Sequence, residues 1–146
     1  MLRRFRTLRI KQLDRNMSAF AMAKEVMRPT RGWLRAIREG LGLTLAEVAG
    51  KMGTTKSTLS AIEHSEADDR INISTLKKAA AAMNCRLIYA IVPITGTLAE
   101  TAENAARNQA TERVHAVEHT MVLEDQATGE VEESINEETK RILERA

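Results

Sequence analysis

The stretch Leu45-Ala-Glu-Val-Ala-Gly-Lys-Met-Gly-Thr-Thr-Lys-Ser-Thr-Leu-Ser-Ala-Ile62 constrains the fold more than any other part of this chain. Small Ala49 lets two helices approach closely, and Gly53 offers the positive φ that ends a helix and turns the chain sharply. Leu45, Val48, Ala49 and Met52 before the turn are spaced to bury against Leu59 and Ile62 after it. Thr44, with Glu47 three positions on, has the form of a capping box, and Thr55 stands where a second helix needs its N-cap. The spacing predicts one helix over 45–52, a tight turn, and a second helix from 56 to about 65.

The rest of the chain reads as helical on either side of this unit. Aromatic residues make up 3% of the 146, so the core must come from Leu, Ile, Val, Met and Ala, which suits closely packed helices. Leu2, Phe5, Leu8, Leu13, Met17, Phe20 and Met27, interleaved with Arg and Lys, predict a basic amphipathic helix over 2–27 that stops before Pro29. Packing on the domain, lying along DNA backbone and contacting membrane lipid are all compatible with such a face, in that order of preference. Trp33, Leu34, Ile37 and Leu41 predict the next helix, closed by Gly40 and Gly42. The stretch 66–70 is polar and reads as a loop. Ser74 is expected to cap a helix running to Met83, with Asn84 as its left-handed stop. Arg86-Leu-Ile-Tyr-Ala-Ile-Val92 is short, apolar and β-rich, and predicts a strand. Its backbone needs a partner, either 71–73 or the same strand of a second subunit. After Gly96, the positions Leu98, Ala102, Ala106, Ala110, Val114, Val117 and Met121 form an apolar seam. A turn near Thr128-Gly129 and a shorter segment with Val131, Ile135, Ile142 and Leu143 follow. The seam suits either a partner helix or folding back on the chain. The expected architecture is mostly α, with one short β-strand. It divides into a basic N-terminal helix (1–28), a helix-turn-helix domain (29–95) and an acidic helical extension (96–146).

Charge separates along the chain. Residues 1–97 carry 17 Lys and Arg against 8 Asp and Glu, a net of +9, whereas residues 98–146 carry 5 against 12, a net of −7. A basic reading part attracts phosphate regardless of sequence, and an acidic tail is repelled by it. The second helix of the tight pair would dock in the major groove with its N-terminal residues toward the bases. Lys56, Ser57 and Ser60 are the base-contacting candidates. Thr44, Thr55, Thr58, Arg35 and Arg38 are the phosphate candidates, each with a competing role in capping or in solvent. A dimer on duplex DNA would place two such helices about 34 Å apart.

The segment from Arg35 to Ala82 resembles the phage-repressor-like (XRE-type) helix-turn-helix class, with Arg35, Gly42, Thr44, Ala49, Gly53, Ser57, Ser60, Ile62 and Glu63 at matching places. That class often carries a phosphate-contacting Gln directly after the Thr. Leu45 stands there in this chain, which leaves the contact to Thr44. Gly-Trp-Leu-Arg-Ala-Ile-Arg38, Cys85-Arg-Leu-Ile-Tyr-Ala-Ile-Val-Pro93 and Glu118-His-Thr-Met-Val-Leu-Glu-Asp-Gln126 together resemble the family called mobile mystery protein A. The resemblance implies the DNA-binding member, an autorepressor, of a mobile-element two-gene module. It also implies an alternative, an antitoxin-like protein that chiefly holds a Fic-domain partner.

Other chemistry is poorly supported. His115-Ala-Val-Glu-His119 has the letters of a zinc peptidase motif, but few residues follow to supply a third ligand and a cleft. Glu112-Arg-Val-His115 is half of a di-iron motif without its second copy. Thr120…Glu124-Asp125 and Ser134…Glu138-Thr139 each miss the last position of the helix pattern that inhibits Fic enzymes. A lone Cys85 fits a reducing cytoplasm, and no apolar run is long enough for a membrane span. No catalytic residue, metal or cofactor is expected.

Overall fold

The computed structural model describes residues 2–123 and 131–145, and they form seven α-helices with one 3-10 segment. The helices are α1 (Leu2–Met17), α2 (Trp33–Gly40), α3 (Leu45–Met52), α4 (Lys56–Ala67), α5 (Ile73–Ala82), α6 (Leu98–Leu123) and α7 (Val131–Arg145). The chain divides into two compact units, one made of 22–89 and the other of 1–21 with 90–146.

The unit 22–89 holds α2 to α5. Leu34, Val48, Ala49, Leu59, Ala79 and Met83 are buried at its centre, with Ile37, Leu43, Met52, Ile62 and Leu76 packed around them. Burial on this scale stabilises by about 1.5–3 kcal/mol for each large aliphatic side chain. Ala49 and Ala79 keep the helices close, and α3 packs on both α4 and α5.

All four helices of this unit end in the same way. Within two residues of each end the chain takes a left-handed φ: Gly42 at 69°, Gly53 at 68°, Asp69 at 59° and Asn84 at 55°. The next N–H then reaches back to a carbonyl five residues earlier: Leu43 to Arg38, Thr54 to Ala49, Arg70 to Ser65 and Cys85 to Ala80. With the N–H of the left-handed residue bonding three residues back, as Gly42 to Glu39 and Asn84 to Ala81, these hydrogen bonds satisfy orphan carbonyls of the last turn and reverse the chain in two residues. Gly53 and Asn84 therefore stop their helices as their residue types foretell.

In the other unit α6 packs along α7, and α1 packs on α6. The expected seam folds back on its own chain: Ala106 and Ala110 are buried on α6, Ile135 and Thr139 on α7. Asp14 of α1 caps α6, accepting the Leu98 N–H at 2.8 Å and the Ala99 N–H at 3.3 Å. The half-buried stripe of α1 is Ile10, Asp14 and Met17, while Phe5 and Leu8 are exposed.

Four expectations are corrected. Arg86–Val92 forms no strand, because no extended segment among the described residues lies beside it. The candidate partner 71–73 is otherwise engaged: the Ile71 N–H goes to the Ser65 carbonyl and Asn72 caps α5. That cap is Asn72, whose Oδ1 accepts the Thr75 N–H, and not Ser74, whose hydroxyl instead donates to Asn72. The basic N-terminal helix is α-helical only to Met17. Ser18 Oγ donates to the Arg15 carbonyl, and the chain continues as a 3-10 segment over Ser18–Glu25. The second helix of the tight pair runs to Ala67, so Glu66 is helical and buried, not in a loop. The turn expected near Thr128-Gly129 lies outside the described residues, as do Glu124 and Asp125.

Candidate nucleic-acid interface

The site is built from two caps and one turn. At α3 the Thr44 hydroxyl accepts the Glu47 N–H at 3.2 Å, and Glu47 Oε2 accepts the Thr44 N–H at 2.7 Å, completing the capping box. The Thr44 N–H, and after it the Thr44 hydroxyl, which donates to the same Oε2 at 2.8 Å, hold the Glu47 carboxyl below its ordinary range. At α4 the Thr55 hydroxyl accepts the Thr58 N–H at 3.2 Å and lies 2.9 Å from the Thr58 hydroxyl. The first turn of α4 therefore begins at a fixed point, with its positive dipole end aimed outward.

That turn is where the base-contacting candidates lie. Lys56 and Ser57 are exposed, and neither side chain meets a hydrogen-bond or ionic partner among the described residues. Ser60 is half-buried. Ala61 is exposed one helical turn beyond Ser57, a position that the sequence reading passed over because a methyl group carries no charge or hydroxyl. His64 continues the row, with its Nδ1 2.8 Å from the Ser60 carbonyl. Leu59 and Ile62 point the other way into the core, as the spacing required.

The phosphate candidates separate. Thr44, Thr55 and Thr58 are exposed at the two helix starts; Thr44 and Thr55 serve as caps, and Thr58 supplies the N–H that Thr55 accepts. Arg35 donates through Nε to Glu39 Oε1 at 2.8 Å and is half-exposed. That hydrogen bond chiefly holds the Glu39 carboxyl below its usual value. Arg38 is buried and committed. Its Nε donates to Glu63 Oε1 at 2.6 Å, its Nη2 to Glu63 Oε2 at 3.1 Å, and its Nη1 to the Leu43 carbonyl. The hydrogen bond to Glu63 raises its pKa further, against the opposing pull of burial.

Glu63, which the class resemblance included without a role, and Glu66, Gly32 and Arg28, to which the sequence assigned none, position α4. Glu63 holds its inner face to α2 through Arg38. Glu66 caps α2 across space: Oε1 accepts the Trp33 N–H at 2.7 Å and Oε2 the Leu34 N–H at 2.8 Å. Gly32 is required there, because a Cβ on it would stand 2.6 Å from Glu66 Oε2 and its φ is 83°. Arg28 closes the far end of α4, donating to the carbonyls of Glu66 and Ala67 and pairing with Asp69. Nothing local announces these roles, since a Glu on a helix is usually solvated.

The described residues contain no group of three His, Cys, Asp or Glu placed to hold a metal, and none of their helices is long and apolar enough to cross a membrane.

Two helices fixed at a tight turn, with an exposed polar N-terminal turn on the second, define a helix-turn-helix domain. Residues 34–89 match the helix-turn-helix family model. The match supports a DNA-binding regulator of the XRE type. No curated protein and no solved structure matches the chain significantly.

Proposed function

We propose that this protein is a sequence-specific regulator of transcription that binds double-stranded DNA through α4, acts in the cytoplasm as a homodimer, and represses its own mobile-element module. The observation that carries the reading is the first turn of α4. Lys56 and Ser57 are exposed and unpaired on a turn whose position is fixed by the Thr55 cap behind it and the Arg38–Glu63 pair beneath it. Lys56 reaches guanine O6 or N7, and Ser57 and Ser60 contact base edges. The Ala61 methyl is placed to meet a thymine methyl. The phosphate contacts fall to Thr44, Thr55, Thr58 and Arg35, and to the N–H groups of the two helix starts. Arg38, whose fork is spent on Glu63 and Leu43, supports the reading surface from inside.

Fluorescence anisotropy on the DNA upstream of its own gene, against scrambled DNA over a salt series, tests this. Selective binding should weaken steeply with salt, and Lys56→Ala should cost about 1–3 kcal/mol on the specific site. Equal, weak binding to both DNAs would defeat the reading.

A second reading draws on the acid excess of α6 and α7, where Glu103, Glu112, Glu133 and Glu137 are exposed. On this reading the helical pair holds a Fic-domain partner and DNA binding is secondary. Charge reversal at Glu133 and Glu137 in the full chain should then abolish capture of the purified partner while sparing DNA binding.

A further inference from the structure

The connector after α5 is mostly apolar and runs without helix, turn or bend from 86 to 92. Among the described residues, no backbone N–H or carbonyl from 86 to 92 meets a hydrogen-bond partner. Water can satisfy those groups, but it cannot favour the side chains beside them. Ile88 and Tyr89 are each 62% exposed, Ile91 89% and Ile94 95%. A β-rich segment with a free row of donors and acceptors and apolar side chains on both faces is a template for another strand. No strand of this chain is available to it among the described residues. Its start is held, since Cys85 closes α5 and Lys77 Nζ sits 5.9 Å from the centre of the Tyr89 ring.

We propose that residues 86–92 pair antiparallel with the same residues of a second copy, centred on Tyr89. The segment is self-complementary in the terms that decide such a pairing. Pro93 has no N–H and ends the ladder, leaving seven residues with Tyr89 in the middle. Leu87 then lies opposite Ile91 and Ile88 opposite Ala90, all of them apolar. Arg86, the single charged residue of the seven, lies opposite Val92, so the two copies of Arg86 stand at opposite ends of the ribbon, about 20 Å apart. That exceeds the screening length of about 8 Å at physiological salt, so like charges do not oppose the pairing. A partner of another kind would have to match this largely apolar stretch strand for strand, whereas a second copy does so by symmetry. The inference rests on the proposed DNA reading only for its use, that of pairing two α4 helices. The pairing itself is measured without DNA.

Sedimentation of the purified full chain should show a dimer, and Ile88→Pro with Ile91→Pro should convert it to monomer. The two positions have opposite parity, so whichever set of N–H groups faces the partner, at least one donor is lost from each copy. Neither N–H bonds within the monomer, so helical content and thermal unfolding of the variant should stay those of a folded monomer. The dissociation constant of the dimer should rise at least tenfold, roughly, for the loss of symmetric ladder bonds. In a Cys85→Ser background, Tyr89→Cys should form a covalent dimer under mild oxidation, because two-fold pairing brings those Cα atoms to about 4.5–5.5 Å. A monomeric wild type, a dimer that survives both prolines, or no cross-link at residue 89 would overturn the proposal. A proline-sensitive dimer that shows no selective DNA binding would instead defeat the DNA reading and leave the pairing standing.

Discussion

The two units of this protein are held together by opposite means. In the unit 22–89, charged side chains lie inside: Arg38 and Glu63 are paired and buried, and the carboxylate of Glu66 sits on the start of α2. In the unit of α1, α6 and α7, the buried residues among those described are uncharged: Ala106, Ala110 and Ile135, with Thr139 donating its hydroxyl to the Ile135 carbonyl. There the ion pairs Arg107–Glu132 and Arg113–Glu138 lie at the more exposed margin. Buried pairs contribute little net stability against an apolar replacement, yet they are costly to break and tolerate one geometry. A reading surface needs that fixed geometry, because α4 must present Lys56 and Ser57 at a set angle. A pair of packed helices does not.

The largest effect should follow from splitting the buried pair. Glu63→Ala strands the Arg38 guanidinium and should cost about 3–5 kcal/mol, read as urea unfolding by the fluorescence of Trp33, the single tryptophan. Replacing both partners, Arg38→Met with Glu63→Leu, should recover most of that loss. If the double variant is no better than the single one, the pair is not the geometric device described.

Glu66→Ala should come next. It leaves the N–H groups of Trp33 and Leu34 without a partner, at about 1–3 kcal/mol for each one that water cannot reach. Hydrogen exchange at those two amides should quicken before exchange in α5 does. Gly32→Ala should weaken the same contact through crowding and backbone strain together.

In the other unit the sensitive change is one of volume. Ala110 is fully buried, so Ala110→Leu should destabilise by about 1–3 kcal/mol through overpacking. Far-UV circular dichroism should then register a helix loss that Trp33 fluorescence does not follow. A coincident transition by both probes would show that the two units unfold as one.

The smallest effect belongs to the exposed pairs. Arg113→Ala should cost less than about 1 kcal/mol and less still in high salt. The hydrogen bond from Arg113 holds the Glu138 carboxyl below its ordinary value. Its contribution is therefore full above the carboxylate range of the unfolded chain and fades as the pH falls through the lowered value. Glu138→Gln should remove that acid dependence from the α6–α7 pair. Glu47, lowered by its cap, behaves alike at α3, and Glu47→Gln keeps the box while removing the titration.

The contrast between the units also explains what could be read early. Thr44 with Glu47, Thr55, Gly53 and Asn84 were legible because a cap or a left-handed stop involves only residues within a few positions. Asn72 outranked Ser74 for the same local reason, since its side chain reaches the N–H three residues on. The buried roles of Arg38, Glu63 and Glu66 were hidden, because those contacts join residues 25 to 33 positions apart and a charged side chain on a helix face is ordinarily wet. The apolar seam of α6 was visible, but periodicity cannot say whether the covering helix belongs to the same chain.

The sequence alone determined the helix-turn-helix, since the positions of the tight turn, its caps and its apolar contacts are set by neighbouring residues and their spacing. Tertiary structure decided the rest. Which carboxylates go inside, which arginine leaves the surface, that α7 covers the seam, and that Arg86–Val92 meets no strand among the described residues all depend on what the chain brings alongside. Burial and strand pairing are properties of two surfaces, and a sequence lists only one of them at a time.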